Sequence, residues 1–397
     1  RGHLAVVNSK ALEVLGITKD SPVPEGGHIF NDPESGELTG CLLDNAVYEL
    51  VNPKLPRAPK DDWARAIKTM NPRFLREGIT SIVNQSGDVW SVLQELYHRG
   101  ELSVRWQANL QGSSNYFHRP VEEIPRAVRD LGAVTGYGDE WLRVGAIGEL
   151  HSDGLIHAPW MHEPYAQHAF GPHWYGLLRH PREILLAICQ TAAEMGFQME
   201  VHASGDAALE MVLDVYDKVN RQISLRDRRW VITHGGIFPT PRSVEKARNL
   251  GVIISTQQPV LWTQSHFYQQ YWDERWVANL FANRTWLEGG VLVNGSSDIG
   301  LPPLLGIYMC VTRKNCFGEV LGLHQAISRE EALKLHTIYG AYSTFQEQRK
   351  GSIEAGKLAD LAVLSDDPLT VSEEQIKEIQ VLMTVVDGHI AYEKDGT

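Results

Sequence analysis

The sequence predicts an α/β protein built on a distorted (β/α)8 barrel, with a small β-sandwich domain to which the C-terminal tail contributes. Strand-like and helix-like runs alternate through most of the 397 residues, and such alternation implies parallel strands covered by helices. No GxGxxG or GxxxxGK[ST] motif follows the early strands, although open nucleotide-binding sheets usually carry one there. The length also fits a barrel with additional segments better than a single open sheet.

The strands are the first elements to justify. Seven short runs have the apolar or alternating character of strands: residues 78–83, 102–110, 141–150, 197–203, 229–234, 251–256 and 290–296. A barrel of this type closes with eight strands. The first strand is therefore missing from the count, and the chain, which begins RGHLAVVNSKAL, is expected to lack an N-terminal part.

The helices between these strands carry their own end signals. Residues 182–195 repeat an apolar residue along one face, and Gly196 follows at the position of a C-terminal cap. Residues 241–250 follow Thr240, a good N-cap, and end before Gly251. Both segments are therefore predicted to be helices on the outside of the barrel.

Both ends of the chain differ from this alternating region. Residues 1–60 are rich in Pro and Gly and are expected to form an insertion or a lid. Residues 61–348 would form the barrel. Residues 349–397 would supply C-terminal strands of the small β domain, with Asp387-Gly388 as a two-residue hairpin turn.

The composition limits the possible partners. Hydrophobic residues make up 43% of the chain and charged residues 22%, as in an ordinary globular protein. A net charge of −12 argues against a nucleic acid or an anionic membrane surface as partner. No apolar run reaches the roughly 18 residues that cross a bilayer. The four cysteines form no CxxC pair, which favours a reducing, cytoplasmic location.

Four polar residues fall at the C-terminal ends of the predicted strands, where such barrels carry their active sites. They are Glu149, His202, His234 and Asp298. Any one of them alone would be typical of a loop residue that contacts water. Together, two imidazoles and two carboxylates suit a divalent metal that keeps an open position for water. The ion would activate that water, and a carboxylate would take and return its proton.

Several stretches carry a resemblance to a known family. They are GHLAVVNSKALEVLGI, PEGGHIFNDPESGELTGCLLDNA, VHASGDAALEMVLD, VITHGGIFPTP, NGSSDIGLPPL and GSIEAGKLADLAVLSDDP. In this order they resemble the amidohydrolase superfamily, specifically the YtcJ-like branch called amidohydrolase family 3. The resemblance implies that His202 and His234 bind one metal and that Asp298 is both a ligand and a general acid/base. It implies a divalent cofactor, expected to be zinc, as one or two ions.

Two positions depart from the family pattern. The family's first strand ends in a His-x-His pair of metal ligands, which this sequence lacks and which would lie in the missing strand. The family also often has a carboxylated lysine before its Asp-Gly. Counting back from Asp153-Gly154, the equivalent residue here is Glu149, and a glutamate can bridge metals without CO₂.

Two stretches that follow barrel strands are candidates for the substrate pocket. His157 and His162 lie in the histidine-rich stretch after the Glu149 strand. Trp262 belongs to the aromatic residues 261–276, which show no clear helical or strand period. That stretch is predicted either to pack in the core or to form loops that line an apolar pocket.

The sequence therefore predicts a metal-dependent hydrolase that cleaves an amide-like, non-peptide C–N bond with metal-activated water. The substrate would be a small molecule, apolar or aromatic, and the chain would pair with itself or with a complementing N-terminal fragment. Two alternatives stay open. One is a heterocycle deaminase with a single metal, and the other is a truncated, inactive barrel that acts only as a binding module.

Overall fold

The computed structural model describes residues 3–85, 89–110, 116, 119–166, 173–298 and 300–395. Strands β1–β13 run over Leu4–Val6, Gly27–Asn31, Leu38–Asp44, Ser81–Asn84, Arg105–Leu110, Leu142–His151, Met199–His202, Val231–Thr233, Ile253–Thr256, Val293–Gly295, Leu361–Leu364, Val381–Val386 and His389–Glu393. Helices α1–α13 run over Ser9–Leu15, Lys60–Arg76, Trp90–His98, Ile124–Arg129, Arg182–Met195, Asp206–Asn220, Pro241–Leu250, Gln258–Tyr271, Glu274–Val277, Asn283–Glu288, Pro303–Thr312, Arg329–Leu335 and Ile338–Ser343.

The central element is a sheet of seven strands in the order β10-β9-β8-β7-β6-β5-β4. Every neighbouring pair in it is parallel. These strands coincide with the seven predicted runs, so the predicted α/β class and distorted barrel are confirmed. Among the described residues, β4 and β10 form the two edges of this sheet.

The two helices with predicted ends begin and end where their caps indicated. α5 runs to Met195, and Gly196 follows with a φ of 85°. α7 begins after Thr240, whose side chain accepts a hydrogen bond from the backbone N–H of Ser243, and Gly251 follows it with a φ of 70°. Both glycines take up the left-handed conformation that ends a helix at low steric cost.

The aromatic stretch at residues 261–276 is helical, so the interpretation as pocket-lining loops is wrong. α8 covers most of it and α9 follows. The buried face of α8 includes the polar Gln264 and Ser265, while Phe267 is 38% exposed. Because polar residues lie on the inner face and an aromatic residue on the outer one, the apolar pattern does not show the helical period.

Two small antiparallel sheets lie outside the central one. The N-terminal sheet has the order β1-β3-β2, and the C-terminal sheet has the order β11-β12-β13. Asp387 and Gly388, with φ values of 54° and 79°, join β12 to β13 in the predicted hairpin turn. The C-terminal sheet contacts α2, since Thr384 Oγ1 donates a hydrogen bond to the carbonyl of Leu75 at 2.6 Å.

The main core lies between the central sheet and its outer helices, where side chains such as Val201, Ile232 and Leu209 are fully buried. A separate small core holds the N-terminal sheet together around Leu42 and Ala46. Among the described helices, none combines the length and apolar character that a membrane crossing would require.

Candidate metal centre

Three predicted site residues come together at the carboxyl ends of neighbouring strands in the central sheet. Glu149 lies near the end of β6, His202 ends β7, and His234 follows β8. Glu149 Oε1 lies 3.3 Å from His202 Nδ1 and 3.8 Å from His234 Nε2. Ligand-type atoms of the three side chains all lie within 4.8 Å of one another. That spacing suits a single ion with metal–ligand bonds of about 2.0–2.2 Å.

The strand register explains why these residues meet. In the sheet, His151 of β6 pairs with His202 of β7, and His202 pairs with Thr233 of β8. The carboxyl ends of the parallel strands in such a sheet all lie on the same side of the barrel. Glu149 and His234 are each within two residues of a paired position, so the sheet itself aligns them with His202.

The surroundings of His202 indicate which ring nitrogen faces Glu149. Its Nε2 lies near three oxygens: Ser204 Oγ at 3.1 Å, Asp153 Oδ1 at 3.3 Å and the Gly154 carbonyl at 3.4 Å. We therefore place the ring proton on Nε2 and the lone pair on Nδ1. Glu149 Oε1 and His202 Nδ1 are both buried, and neither has a hydrogen-bond partner among the described residues. Two acceptor atoms thus face each other, an arrangement that a cation between them would relieve.

Burial sets the protonation state of these groups. It lowers the pKa of His202 to about 3 and that of His234 to about 4, and neighbouring imidazoles add to both shifts. Both rings are therefore neutral at pH 7, which is the form that binds a metal. Burial also raises the pKa of Glu149; His234 opposes this rise, and the charge of Asp298 adds to it. A nearby cation would stabilise the ionised carboxylate.

Asp298 lies at the rim of this group. It is exposed, follows β10 and has a φ of 56°. Its charge influences the pKa of Glu149 and of His234. Within the described part of the chain, however, Asp298 does not join a set of three ligand-type groups within 4.8 Å. The structure brings it near the centre, and its direct ligation of a metal stays a prediction.

Comparison with known proteins identifies the family of this chain. The profile of the amidohydrolase family matches residues 1–392. The chain belongs to the amidohydrolase family. The family assignment made from the sequence motifs is therefore confirmed.

Individual relatives extend this result. The chain is 28% identical to an N-substituted formamide deformylase of Arthrobacter pascens, covering 100% of this chain and 72% of that protein. It is 27% identical to the putative amidohydrolase YtcJ of Bacillus subtilis, covering 99% and 73%. An uncharacterized metal-dependent hydrolase from Pyrococcus horikoshii has a similar crystal structure, with a TM-score of 0.70 and 23% identity over 94% of this chain and 71% of that one.

Asp153 fixes the turn that carries His202 in this amidohydrolase. Its carboxylate accepts backbone N–H bonds from Ser204 at 3.0 Å, Gly205 at 2.7 Å and Trp160 at 2.9 Å. Burial nevertheless raises the pKa of Asp153 to about 8, because the three bonds offset only part of the desolvation cost. The side chain thus ties the segment after β6 to the start of α6 and holds the His202 ring in place.

Two further histidines lie beside the centre. His3 and His151 have ring centroids 5.5 Å and 5.2 Å from that of His202. His151 follows Glu149 by two residues on β6. Because side chains alternate along a strand, the sequence contained a signal that both residues lie on one face of the sheet. His3 comes from a distant part of the sequence, and only the tertiary structure brings it here.

The three predicted substrate residues do not join the metal centre. His157 packs against Tyr271, with ring centroids 5.3 Å apart. His162 is largely exposed, and its Nε2 lies 3.2 Å from Glu210 Oε2 on α6. Trp262 lies on α8, where its ring is 6.0 Å from that of Tyr308.

His157 remains a candidate for the wall of a substrate pocket. Its Nδ1 is buried and has no hydrogen-bond partner among the described residues, while its backbone carbonyl accepts a bond from Trp174 Nε1 at 2.9 Å. Burial lowers the pKa of His157, although the charge of Asp44 opposes that shift. A buried, neutral ring nitrogen without a partner is suited to hydrogen bonding with a ligand.

Proposed function

We propose that Glu149, His202 and His234 bind a divalent cation and that the chain hydrolyses an amide-like, non-peptide C–N bond in a small molecule. The supporting observation is the contact between Glu149 Oε1 and His202 Nδ1, two buried acceptors 3.3 Å apart without hydrogen-bond partners in the described structure. A buried pair of this kind is costly unless a cation or a proton lies between the two atoms.

We propose zinc as the ion. Two neutral imidazoles and one carboxylate form the three-ligand set of several catalytic zinc sites, in which a fourth position stays open. Magnesium and calcium prefer all-oxygen ligand sets. When bound, such an ion polarises a carbonyl and lowers the pKa of a water molecule to about 7.

The chain's own groups would then handle the proton. Asp298 is exposed beside the centre, so its carboxylate can accept a proton from an attacking water and deliver it to the leaving nitrogen. Glu149 and the two imidazoles would orient the reacting groups without changing their own protonation. Membership of the amidohydrolase family supports hydrolysis over a purely binding role.

The relatives suggest a substrate class. One of them is named for deformylation of N-substituted formamides. We propose N-substituted amides with a small acyl group as substrates, with an apolar or aromatic substituent that the aromatic residues around His157 would contact. We also propose a reducing, cytoplasmic setting, which the four free cysteines support.

The test combines metal content with turnover. We expect the purified chain to bind Zn²⁺ and to release formate from N-substituted formamides. Glu149→Gln and His234→Ala should bind Zn²⁺ more weakly and lose hydrolysis, whereas His389→Ala, at an exposed position of β13, should change neither. Zn²⁺ binding without hydrolysis of any amide would contradict the proposed reaction. Full metal affinity in both site variants would contradict the proposed ligands.

A further inference from the structure

A second group of ligand-type side chains lies next to the centre described above. Ligand-type nitrogens of His3, His151 and His202 all lie within 4.8 Å of one another. The ring centroids of His3 and His151 are 5.0 Å apart. The three imidazoles come from the N-terminal segment, from the end of β6 and from the end of β7. Tertiary structure, and not closeness in sequence, gathers them.

A buried carboxylate orients His3. Its Nδ1 lies 2.7 Å from Asp44 Oδ1, and the Asp44 side chain is 1% exposed. The same carboxylate oxygen lies 3.5 Å from Arg179 Nη1. A carboxylate at Nδ1 fixes the ring proton there and leaves the lone pair on Nε2. Metal-binding histidines typically present this arrangement, with a carboxylate behind the ring.

The N-terminal segment is anchored closely enough to hold this geometry. Arg179 Nε donates to Asn45 Oδ1 at 2.9 Å, and Asn45 Nδ2 donates back to the Arg179 carbonyl at 3.1 Å. A Cβ atom at Gly154 would meet Asp44 Oδ2 at 2.5 Å, so the segment packs directly on the loop that follows β6. These contacts make His3 a fixed part of the site's surroundings.

We propose that His3, His151 and His202 form a second cation position. It competes for His202 with the first position, which Glu149, His202 and His234 form. All three ligands are imidazoles, so this position should favour Zn²⁺, Co²⁺ and Ni²⁺ over Mg²⁺ and Ca²⁺. The inference shares His202 with the proposed function but depends on no reaction. An ion held there would withdraw His202 from the first position, so an excess of such ions should inhibit the enzyme.

The test removes the first position and asks whether a cation still binds. In a Glu149→Gln/His234→Ala chain, we expect equilibrium dialysis to detect about one Co²⁺ per chain, which excess Mg²⁺ does not displace. Adding His3→Ala should abolish this binding. Adding Asp44→Asn should weaken the affinity by roughly 10–100-fold. Adding His389→Ala, a control at an exposed position of β13, should change nothing.

Two outcomes would overturn the proposal: no Co²⁺ binding in the double variant with circular dichroism unchanged, or unchanged binding after His3→Ala. If the substituted chains do not fold, crystals of the unsubstituted chain soaked in excess Co²⁺ decide the matter. An anomalous peak in contact with His3 supports the position, and its absence contradicts it. Both measurements omit substrate, so a failure of the proposed reaction would appear separately, as absent amide hydrolysis.

Discussion

Glu149 Oε1 and His202 Nδ1 lie 3.3 Å apart, both buried and both without a hydrogen-bond partner among the described residues. The ring proton of His202 is directed to the oxygens around Nε2, so this contact joins two electron-rich atoms. Burial raises the pKa of Glu149 and lowers that of His202, and each shift disfavours the charged form of its group. Both groups would gain from the same bound cation.

Glu149→Gln should weaken metal binding less than His202→Ala does. The glutamine keeps an oxygen at nearly the same place, whereas the alanine removes the one ring that belongs to both ligand groups. We expect a loss of at least ~10²-fold in Zn²⁺ affinity for His202→Ala, because removing a ligand should exceed the 10–100-fold effect of removing an outer partner. Competition with a chromophoric chelator measures both affinities. Equal losses in the two variants would contradict this order.

Asp298→Asn should separate proton transfer from metal binding. Asn is among the residues that tolerate the left-handed conformation, so the φ of 56° at this position should be kept. The change removes the proton acceptor but leaves Glu149, His202 and His234 in place. We expect turnover to fall by about 10²–10⁴-fold while much of the metal remains bound. Metal stoichiometry and kcat on the same preparation check this. Near-normal turnover would exclude Asp298 as the general acid/base.

Much of the fold could be predicted because its signals are local. Gly196 and Gly251 end their helices, Asp387-Gly388 forms the hairpin turn, and the seven strands read directly from apolar runs. The same holds for the strand ends that carry His202 and His234. The position of a residue at the end of its strand is enough to predict that it lies on the side of the barrel that carries the active site.

The remaining features depend on tertiary contacts that no local pattern contains. His3 reaches the centre because it contacts Asp44 and because Asn45 and Arg179 join the N-terminal segment to the loop after β6. Asp298 lies beyond the end of β10 with a left-handed φ of 56°, a backbone conformation that no local pattern in the sequence predicts. His162 is largely exposed and contacts Glu210 of α6, and its place in a substrate pocket stays a prediction.

Acid should destabilise the metal-free protein partly through His336. Burial lowers the pKa of His336 to about 4, and its Nε2 has no hydrogen-bond partner among the described residues. In the unfolded chain the imidazole binds a proton below about pH 6.5. Between pH 6.5 and 4 the unfolded state therefore holds more protons, so stability falls as pH falls and is fully present above this range. We expect this residue to contribute on the order of 1–3 kcal/mol.

His336→Gln cannot titrate, so it should flatten the pH dependence in that window. Urea unfolding of both proteins at pH 5 and pH 7.5 measures the difference. An identical loss of unfolding free energy in the two proteins would show that His336 does not contribute.

Gly306 should not tolerate even alanine. Gly306 lies in the N-terminal half of α11, and within a helix alanine is normally more stable than glycine by about 1 kcal/mol. A Cβ atom here, however, would lie 2.9 Å from His336 Nε2, and overpacking of this kind typically costs about 1–3 kcal/mol. Gly340→Ala in α13 is the matched control, because its Cβ would meet no atom closer than 3.8 Å.

Thermal unfolding should therefore show destabilisation by Gly306→Ala and none by Gly340→Ala. His336→Ala should relieve part of the cost of Gly306→Ala, since adjacent sites couple by about 0.5–3 kcal/mol. Strict additivity of the two changes would show that the clash with His336 is not the cause.

Arg105 links the central sheet to the C-terminal sheet, and its two carboxylate partners should differ sharply in importance. On β5, its Nε and Nη2 donate to Asp360 at 2.7 and 2.9 Å, and Nη2 also donates to Asp387 at 3.0 Å. The Asp360 side chain is 3% exposed and that of Asp387 is 45% exposed. Removing one partner of a buried pair leaves an uncompensated charge and costs about 3–5 kcal/mol. An exposed pair contributes only about 0–1 kcal/mol.

We therefore expect Asp360→Asn to lower the free energy of unfolding by several kcal/mol and Asp387→Asn by less than about 1 kcal/mol. Asparagine also tolerates the φ of 54° at position 387, so the two variants differ in charge burial and not in backbone strain. Urea unfolding at neutral pH and moderate salt measures both. Comparable losses in the two variants would contradict this prediction. They would show that solvent does not screen the contact between Arg105 and the exposed Asp387.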